Sequence, residues 1–230
     1  MKGIANGPIY SITPFTLLDY PHKSACILWF AGCNMRCLYC YNPEIVLGKG
    51  SISIEKALAF LQSRKNLLDA AVFSGGECLL HKDIVALIEQ VKRLGFLVKI
   101  DTNGSRPDVL QNLLNRKLID YVALDYKAMP SSFEKITKSE LFGKFEKSLQ
   151  LLNKNDTAFE VRTTVHSDLT NEEDLGLMVG YLEENNYKGD YFIQHFVNGV
   201  STLGDLGHSL KGLEQQNLSR NEIKIHFRSQ

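Results

Sequence analysis

Apolar segments of strand length alternate with helix-like segments along most of the chain, and this alternation constrains the fold more than any other feature. The strand-like runs are Ala25–Phe30, Ala70–Phe73, Leu97–Ile100, Tyr121–Leu124, Phe159–Val165 and Tyr191–Phe196. The helix-like segments are Ile54–Ser63, Asp83–Leu94, Pro107–Lys117, Glu140–Asn153 and Asn171–Asn186. This order predicts right-handed βαβ units on a parallel sheet. A closed eightfold barrel needs more chain than these units occupy, so we expect an α/β fold, an open partial TIM barrel of the (β/α)6 type.

The same pattern predicts one domain across residues 1–230, because a chain of 230 residues can bury a substantial single core. We expect an N-terminal lead-in at 1–23, the partial barrel at 24–196 and a C-terminal extension at 197–230. Within the extension, the alternation of Ile223, Ile225 and Phe227 indicates a short edge strand.

Charge and hydropathy exclude several classes of protein. Lys plus Arg and Asp plus Glu both number 26, and such a balance argues against sequence-blind nucleic-acid binding. The longest uncharged apolar stretch, Ser24–Met35, is too short to span a membrane. Residues 1–20 lack a basic segment followed by an apolar run, so we expect no signal peptide and a cytoplasmic protein. The cysteines are therefore expected to be thiols or metal ligands.

Polar residues alternate with apolar ones along three of the predicted strands, and alternate residues share one face of a strand. The polar faces carry Lys99, Asp101 and Asn103, then Asp125 and Lys127, then Glu160, Arg162, Thr164 and His166. Parallel strands that are covered on both sides are normally apolar throughout. These faces therefore predict a lumen for a polar ligand; the alternative is an antiparallel sheet with one solvated face.

Cysteines are concentrated directly after the first predicted strand, in the segment Gly32-Cys33-Asn34-Met35-Arg36-Cys37-Leu38-Tyr39-Cys40. Three thiolates so close together repel one another unless a cation binds them. Structural zinc takes four ligands, and Cys26, His22 and His81 are the alternatives for a fourth. An iron–sulfur cluster held by three cysteines would leave one iron open for catalysis. Cys26 and Cys78 are more simply read as small buried residues.

The C-x3-C-x2-C spacing after the first strand resembles the radical S-adenosylmethionine superfamily. Four further segments agree with this resemblance, each at a strand or its end: Ser74-Gly75-Gly76-Glu77, Asp101-Thr102-Asn103-Gly104, Asp125-Tyr126-Lys127 and Val161-Arg162-Thr163.

Within that superfamily the chain is most similar to the activases of glycyl radical enzymes, particularly those of anaerobic ribonucleoside-triphosphate reductase. Two segments carry this likeness, Thr13–Pro21 and Tyr41–Glu44. The chain departs from the common pattern at Tyr41, where these families usually have His, and at Cys78, where they usually have Pro or a small residue.

The resemblance implies that Cys33, Cys37 and Cys40 bind a [4Fe–4S] cluster, whose open iron binds S-adenosyl-L-methionine. Reductive cleavage would release a 5′-deoxyadenosyl radical, which takes a hydrogen from a glycine of a partner enzyme. The expected cofactor-binding residues are Gly75, Gly76 and Glu77 near the methionine ammonium, Lys127 at the carboxylate, Asp101 at the ribose, Arg162 at a carboxylate, and Tyr39, Tyr41, His195 and Phe196 near adenine.

The expected partners are a glycyl radical enzyme, anaerobic ribonucleotide reductase in particular, and an external electron donor such as flavodoxin or ferredoxin. Pyruvate formate-lyase activase and 7-carboxy-7-deazaguanine synthase are alternatives with the same chemistry. A metal-binding adaptor without turnover is the alternative from a different class. A monovalent cation bound by Asp101 and Asp125 is a further alternative. The alternative to ligand contacts is structural ion pairing, of Asp101 with Lys127 and of Arg162 with Glu160.

Overall fold

The structure, a computed structural model, describes residues 7–210 and 222–228. Predictions for residues 1–6, 211–221 and 229–230, which belong to the lead-in and the C-terminal extension, lie outside the described residues. None of the helices in the described part combines the length and the apolar composition needed to cross a lipid bilayer.

Strands of the described residues form one mostly parallel sheet, ordered as in the chain from β1 to β8. They are β1 (Ile9–Thr16), β2 (Ala25–Phe30), β3 (Ala70–Gly75), β4 (Leu97–Thr102), β5 (Tyr121–Asp125), β6 (Ala158–Val165), β7 (Gly189–His195) and β8 (Ile223–Arg228). Strand β1 runs antiparallel to β2, whereas β2 to β4 and β6 to β8 are paired in parallel. The α/β fold with consecutive parallel strands is therefore confirmed, as is the edge strand at Ile223–Arg228.

Helices in the described residues follow the strands in the expected alternation. They are α1 (Pro43–Leu47), α2 (Ile54–Arg64), α3 (Ile84–Arg93), α4 (Pro107–Asn115), α5 (Pro130–Thr137), α6 (Phe142–Asn153) and α7 (Glu172–Glu184), with a 3-10 turn at Cys78–Leu80. The sequence did not predict β1, α1, α5 or the 3-10 turn. Helix α7 begins with a capping box, in which Asn171 and Asp174 each bond the other's main-chain amide.

By its internal contacts the chain divides into two compact units. The described part of the first unit comprises residues 7–34, 42–102 and 108–122. Its core is formed by strands β2 and β3, which are apolar on both faces, and by the buried face of α3. That face presents residues spaced three and four apart, Ile84, Leu87, Ile88 and Val91, as an amphipathic helix requires.

The described part of the second unit comprises residues 35–41, 103–107, 123–210 and 222–228. Aromatic rings form part of its core, where the ring of Tyr126 stacks on Phe145 at 4.8 Å and lies 5.8 Å from Tyr181. Asp125 and Lys127 flank Tyr126 in the chain, so alternation turns both side chains away from this core. The buried tyrosine thereby fixes the two charged residues on the opposite side of the chain.

Candidate active site

The cysteine loop, residues 31–42, joins β2 to α1 and contains neither helix nor strand. Its three cysteines form no disulfide bond; Cys37 is buried, whereas Cys33 and Cys40 are partly exposed. Among the described residues, no group of three or more His, Cys, Asp and Glu side chains could hold a single metal ion. Three cysteine thiols on one loop are soft ligands of the kind that iron–sulfur clusters take, so this donor set fits such a cluster.

Gly75 and Gly76 let β3 approach the chain that enters the cysteine loop. Gly75 has a φ of +120°, and a Cβ there would lie 2.4 Å from the amide nitrogen of Phe30. A Cβ on Gly76 would lie 2.0 Å from the carbonyl oxygen of Gly32. The close approach that these glycines permit in this structure is thus to the protein's own main chain, which holds the start of the cysteine loop in place.

Glu77 is fully buried and ties the turn after β3 to the end of β4. Its Oε1 accepts hydrogen bonds from the Leu79 amide at 3.1 Å and from the Thr102 hydroxyl at 2.9 Å. A buried carboxylate with such partners supports the local backbone, since an unsatisfied buried charge would be costly. The sequence placed Glu77 near a ligand ammonium, and the structure adds this supporting role within the first unit.

Asp101 lies at the carboxyl end of β4, as the sequence predicted. Its Oδ1 lies 2.5 Å from the Nζ of Lys99, and its Oδ2 accepts a hydrogen bond from the Ser74 hydroxyl at 3.0 Å. Lys99 is only 2% exposed, so Asp101 neutralises a buried cation. These two contacts hold the carboxylate at the end of the strand, and a carboxylate is an acceptor that sugar hydroxyls can bind.

Asp125 binds two cations in the second unit. Its Oδ1 lies 3.1 Å from Nε and 3.0 Å from Nη2 of Arg162, and its Oδ2 lies 3.1 Å from the Nζ of Lys127. One carboxylate facing two cations leaves one positive charge in excess within this trio. Burial is the largest single effect on Lys127 and lowers its pKa. The negative charge of Asp125, with smaller effects of Tyr39 and Cys37, together outweighs burial and holds the pKa of the lysine well above its usual value.

The aromatic candidates lie at buried and partly buried positions of the second unit. Tyr39 is buried, with the Nζ of Lys127 5.9 Å from its ring centroid. Tyr41 lies 5.3 Å from the ring of Phe196 and accepts a hydrogen bond from the Val197 amide at 2.8 Å. His195 ends β7 and stacks on Phe227 at 5.8 Å. Tyr41 and Phe196 are thus brought together, and adenine binding by these rings stays a prediction.

Two partners in these networks were missed as functional candidates. Both residues, Lys99 and Asp125, lie on the polar strand faces seen in the sequence. Lys99 was given no ligand-binding role, and Asp125 was considered only as a ligand of a monovalent cation. The alternation of polar and apolar residues was the signal that could have found them. It identifies the face of a strand but not the partner on the neighbouring strand.

A family model described as "Radical SAM superfamily" matches residues 27–178. The chain belongs to the radical S-adenosylmethionine superfamily. A curated relative from Methanocaldococcus jannaschii, "Putative glycyl-radical enzyme activating enzyme MJ1227", is 36% identical over 182 residues, covering 76% of this chain and 73% of the relative. This radical S-adenosylmethionine protein therefore belongs with the glycyl-radical enzyme activating enzymes, and the prediction of a radical S-adenosylmethionine enzyme of this type is confirmed.

Two further relatives match shorter parts of this radical S-adenosylmethionine enzyme. "Pyruvate formate-lyase-activating enzyme" of Clostridium pasteurianum is 33% identical, with 53% of this chain and 52% of the relative covered. "7-carboxy-7-deazaguanine synthase" of Clostridium acetobutylicum is 34% identical, with 55% and 54% covered. The chain spans about half the length of each of these two proteins.

Solved structures share the fold of this enzyme at low sequence identity. The structure titled "Native anSMEcpe with bound AdoMet" aligns with a TM-score of 0.63 and 18% identity, over 79% of this chain and 54% of that chain. The predicted fold class is therefore confirmed. Membership of the superfamily implies S-adenosylmethionine and an iron–sulfur cluster as cofactors.

Proposed function

We propose that this enzyme generates a glycyl radical on a partner enzyme, and that the partner is anaerobic ribonucleoside-triphosphate reductase. The observation that carries the proposal is the trio of cysteines outside disulfide bonds on the cysteine loop, in a chain that shares 36% identity with a protein named "Putative glycyl-radical enzyme activating enzyme MJ1227". The choice of this reductase as the partner rests on the likeness of Thr13–Pro21 and Tyr41–Glu44 to its activases.

Cys33, Cys37 and Cys40 would hold a [4Fe–4S] cluster. With an electron from flavodoxin or ferredoxin, the bound cluster would supply one-electron cleavage of the sulfonium carbon–sulfur bond, which releases methionine and a 5′-deoxyadenosyl radical that would take one Cα hydrogen atom from the partner's glycine. The protein's own residues bind and orient the nucleoside and keep water from the reaction.

The charges of the site support the assignment of binding roles. Asp125 holds the cations Arg162 and Lys127 together, and these cations suit the carboxylate of the methionine moiety. Asp101, held by Lys99 and Ser74, is a carboxylate that suits the ribose hydroxyls. Glu77 supports the Gly75–Gly76 segment, whose main chain we assign to the methionine ammonium.

The partner is tested by mixing the anaerobically reconstituted enzyme with anaerobic ribonucleotide reductase, S-adenosylmethionine and a reductant. We expect a glycyl radical signal by electron paramagnetic resonance that requires all four components. Parallel reactions contain pyruvate formate-lyase or the tetrahydropterin precursor of 7-carboxy-7-deazaguanine. A signal only on the lyase, or turnover only of the pterin, would overturn the proposed partner while leaving the radical chemistry in place.

A further inference from the structure

Residues 197–210, here called the strap, contact the cysteine loop within the second unit. The Leu203 amide donates a hydrogen bond to the carbonyl oxygen of Cys40 at 3.3 Å, and the Gly204 amide donates one to the carbonyl oxygen of Leu38 at 2.8 Å. The strap therefore binds main-chain acceptors beside the thiols of Cys37 and Cys40. This segment belongs to the C-terminal extension, to which the sequence assigned no role.

The same part of the loop is held from another side by α5. The amides of Arg36 and Leu38 donate hydrogen bonds to the carbonyl oxygens of Thr137 at 2.8 Å and Ile136 at 3.0 Å. The last carbonyls of a helix lack partners within the helix, so they are free to accept these bonds. The amides of Arg36 and Leu38 are thus bonded to α5, and the carbonyls of Leu38 and Cys40 are bonded to the strap.

The strap is itself closed at its base. The Oδ1 of Asn198 accepts a hydrogen bond from the Ser209 amide at 2.7 Å, and its Nδ2 donates to the Ser209 carbonyl at 3.0 Å. His166 is buried and its Nε2 lies 3.0 Å from the carbonyl oxygen of Gly207. The Thr202 hydroxyl donates to the Gly204 carbonyl at 2.7 Å. These bonds fix residues 198–209 as a closed loop that presents Leu203 and Gly204 to the cysteines.

The contact leaves no space for a side chain at residue 204. A Cβ on Gly204 would lie 2.8 Å from both the Cβ and the carbonyl oxygen of Leu38, closer than such atoms approach in real structures. At Gly207, in the same strap, an added Cβ would meet only the Asp168 carboxylate at 3.9 Å, an ordinary contact. The close packing is therefore specific to the point where the strap touches the loop.

We propose that the strap is a positioning element for the cluster ligands and that Gly204 is its positioning residue. This inference rests on the proposed assignment of Cys37 and Cys40 as ligands. Ordering a loop costs conformational entropy, and the strap and α5 impose that cost when the chain folds rather than when the cluster binds. Holding the main chain on both sides of the thiols keeps them ready for metal.

The test compares Gly204→Ala with Gly207→Ala, a matched change in the same strap. Amide hydrogen exchange is measured on the unloaded protein, and iron release to a chelator is measured on the reconstituted protein. We expect Gly204→Ala to speed exchange at Arg36, Leu38 and Leu203 on the order of tenfold, because local opening becomes easier. Iron release should accelerate by a similar factor, since groups that orient metal ligands typically contribute about 10- to 100-fold to metal affinity. Gly207→Ala should match the wild type in both measurements.

A second variant covers the case in which Gly204→Ala does not fold, as judged by circular dichroism. Asn198→Ala removes both hydrogen bonds between Asn198 and Ser209 without adding an atom. It should therefore show the same faster amide exchange and faster iron release. Wild-type exchange and wild-type iron release in whichever variant folds would overturn the proposal. Faster exchange with unchanged iron release would also overturn it, because the strap would then order the loop without serving the ligands. The exchange measurement needs neither cluster nor partner, so its outcome is separate from that of the proposed function.

Discussion

Asp125 shows how one side chain can organise a binding region. It contacts Arg162 and Lys127 at 3.0 and 3.1 Å, and its position beside the buried ring of Tyr126 fixes its direction. The sequence correctly placed Asp125 and Lys127 on one face, and it offered Glu160 as a structural partner for Arg162; the structure adds Asp125 as a partner of Arg162. Asp125 ends β5 and Arg162 lies in β6. The alternation of residues along one strand does not show which residue of another strand a side chain will contact.

Replacing Asp125 by Asn should lower the free energy of unfolding by roughly 2 kcal/mol. The change leaves two partly buried cations without their shared carboxylate. Breaking a fully buried ion pair costs more, but the expected loss of stability is smaller here because all three side chains keep some exposure to solvent. Urea denaturation of the unloaded protein measures this change. Glu222→Gln, which breaks the exposed ion pair with Lys188, should change the free energy by less than about 0.5 kcal/mol. Equal effects of the two variants would contradict the structural importance of Asp125.

At the scale of elements, the turn that follows β3 is tied to the end of β2. The Nε2 of His81 lies 3.0 Å from the carbonyl oxygen of Ala31, and its ring lies 5.2 Å from that of Phe30. Burial lowers the pKa of His81 below its usual value of 6.5, although the Ala31 carbonyl acts in the opposite direction. The neutral ring is thus the form that the folded first unit favours.

This tie predicts a pH dependence of stability. The unfolded chain binds a proton at His81 near pH 6.5, whereas the folded chain binds it only at lower pH. The free energy of unfolding should therefore fall as the pH falls below about 6.5, and His81 should add nothing further below its lowered folded pKa. Denaturation from pH 7.5 to 4.5 compares the wild type with His81→Gln, which keeps a donor for Ala31. Parallel curves for the two proteins would refute the assignment.

Elements with strong local patterns were predictable from the sequence, and those that depend on tertiary partners were not. Strand β2 was placed at its observed bounds because its apolar run is buried on both faces. Strand β1 was missed because Pro14 and polar residues interrupt its pattern, and its pairing with β2 contains two irregularities. Helix α5 was missed because it is short, and burial of Phe133 and Ile136 stabilises it.

At the scale of the whole molecule, the sequence could predict those features of the site that follow from local patterns, but not those that depend on tertiary contacts. The spacing of Cys33, Cys37 and Cys40 and the order of the strand-end segments identified the superfamily. The reason for the glycines at 75, 76 and 204 lies in contacts with Phe30, Gly32 and Leu38, which are distant in sequence. Such close approaches depend on the folded chain, so no local pattern predicts them.

The most direct test is to reconstitute the protein without oxygen, then measure bound iron and reductant-dependent release of 5′-deoxyadenosine from S-adenosylmethionine. The wild type and Cys26→Ala, a cysteine variant outside the loop, should each bind about four irons per chain and release the nucleoside. Cys37→Ala should lose both properties. Stoichiometric zinc in place of iron, or a Cys37→Ala variant with full iron content and full cleavage, would contradict the assignment of the three thiols.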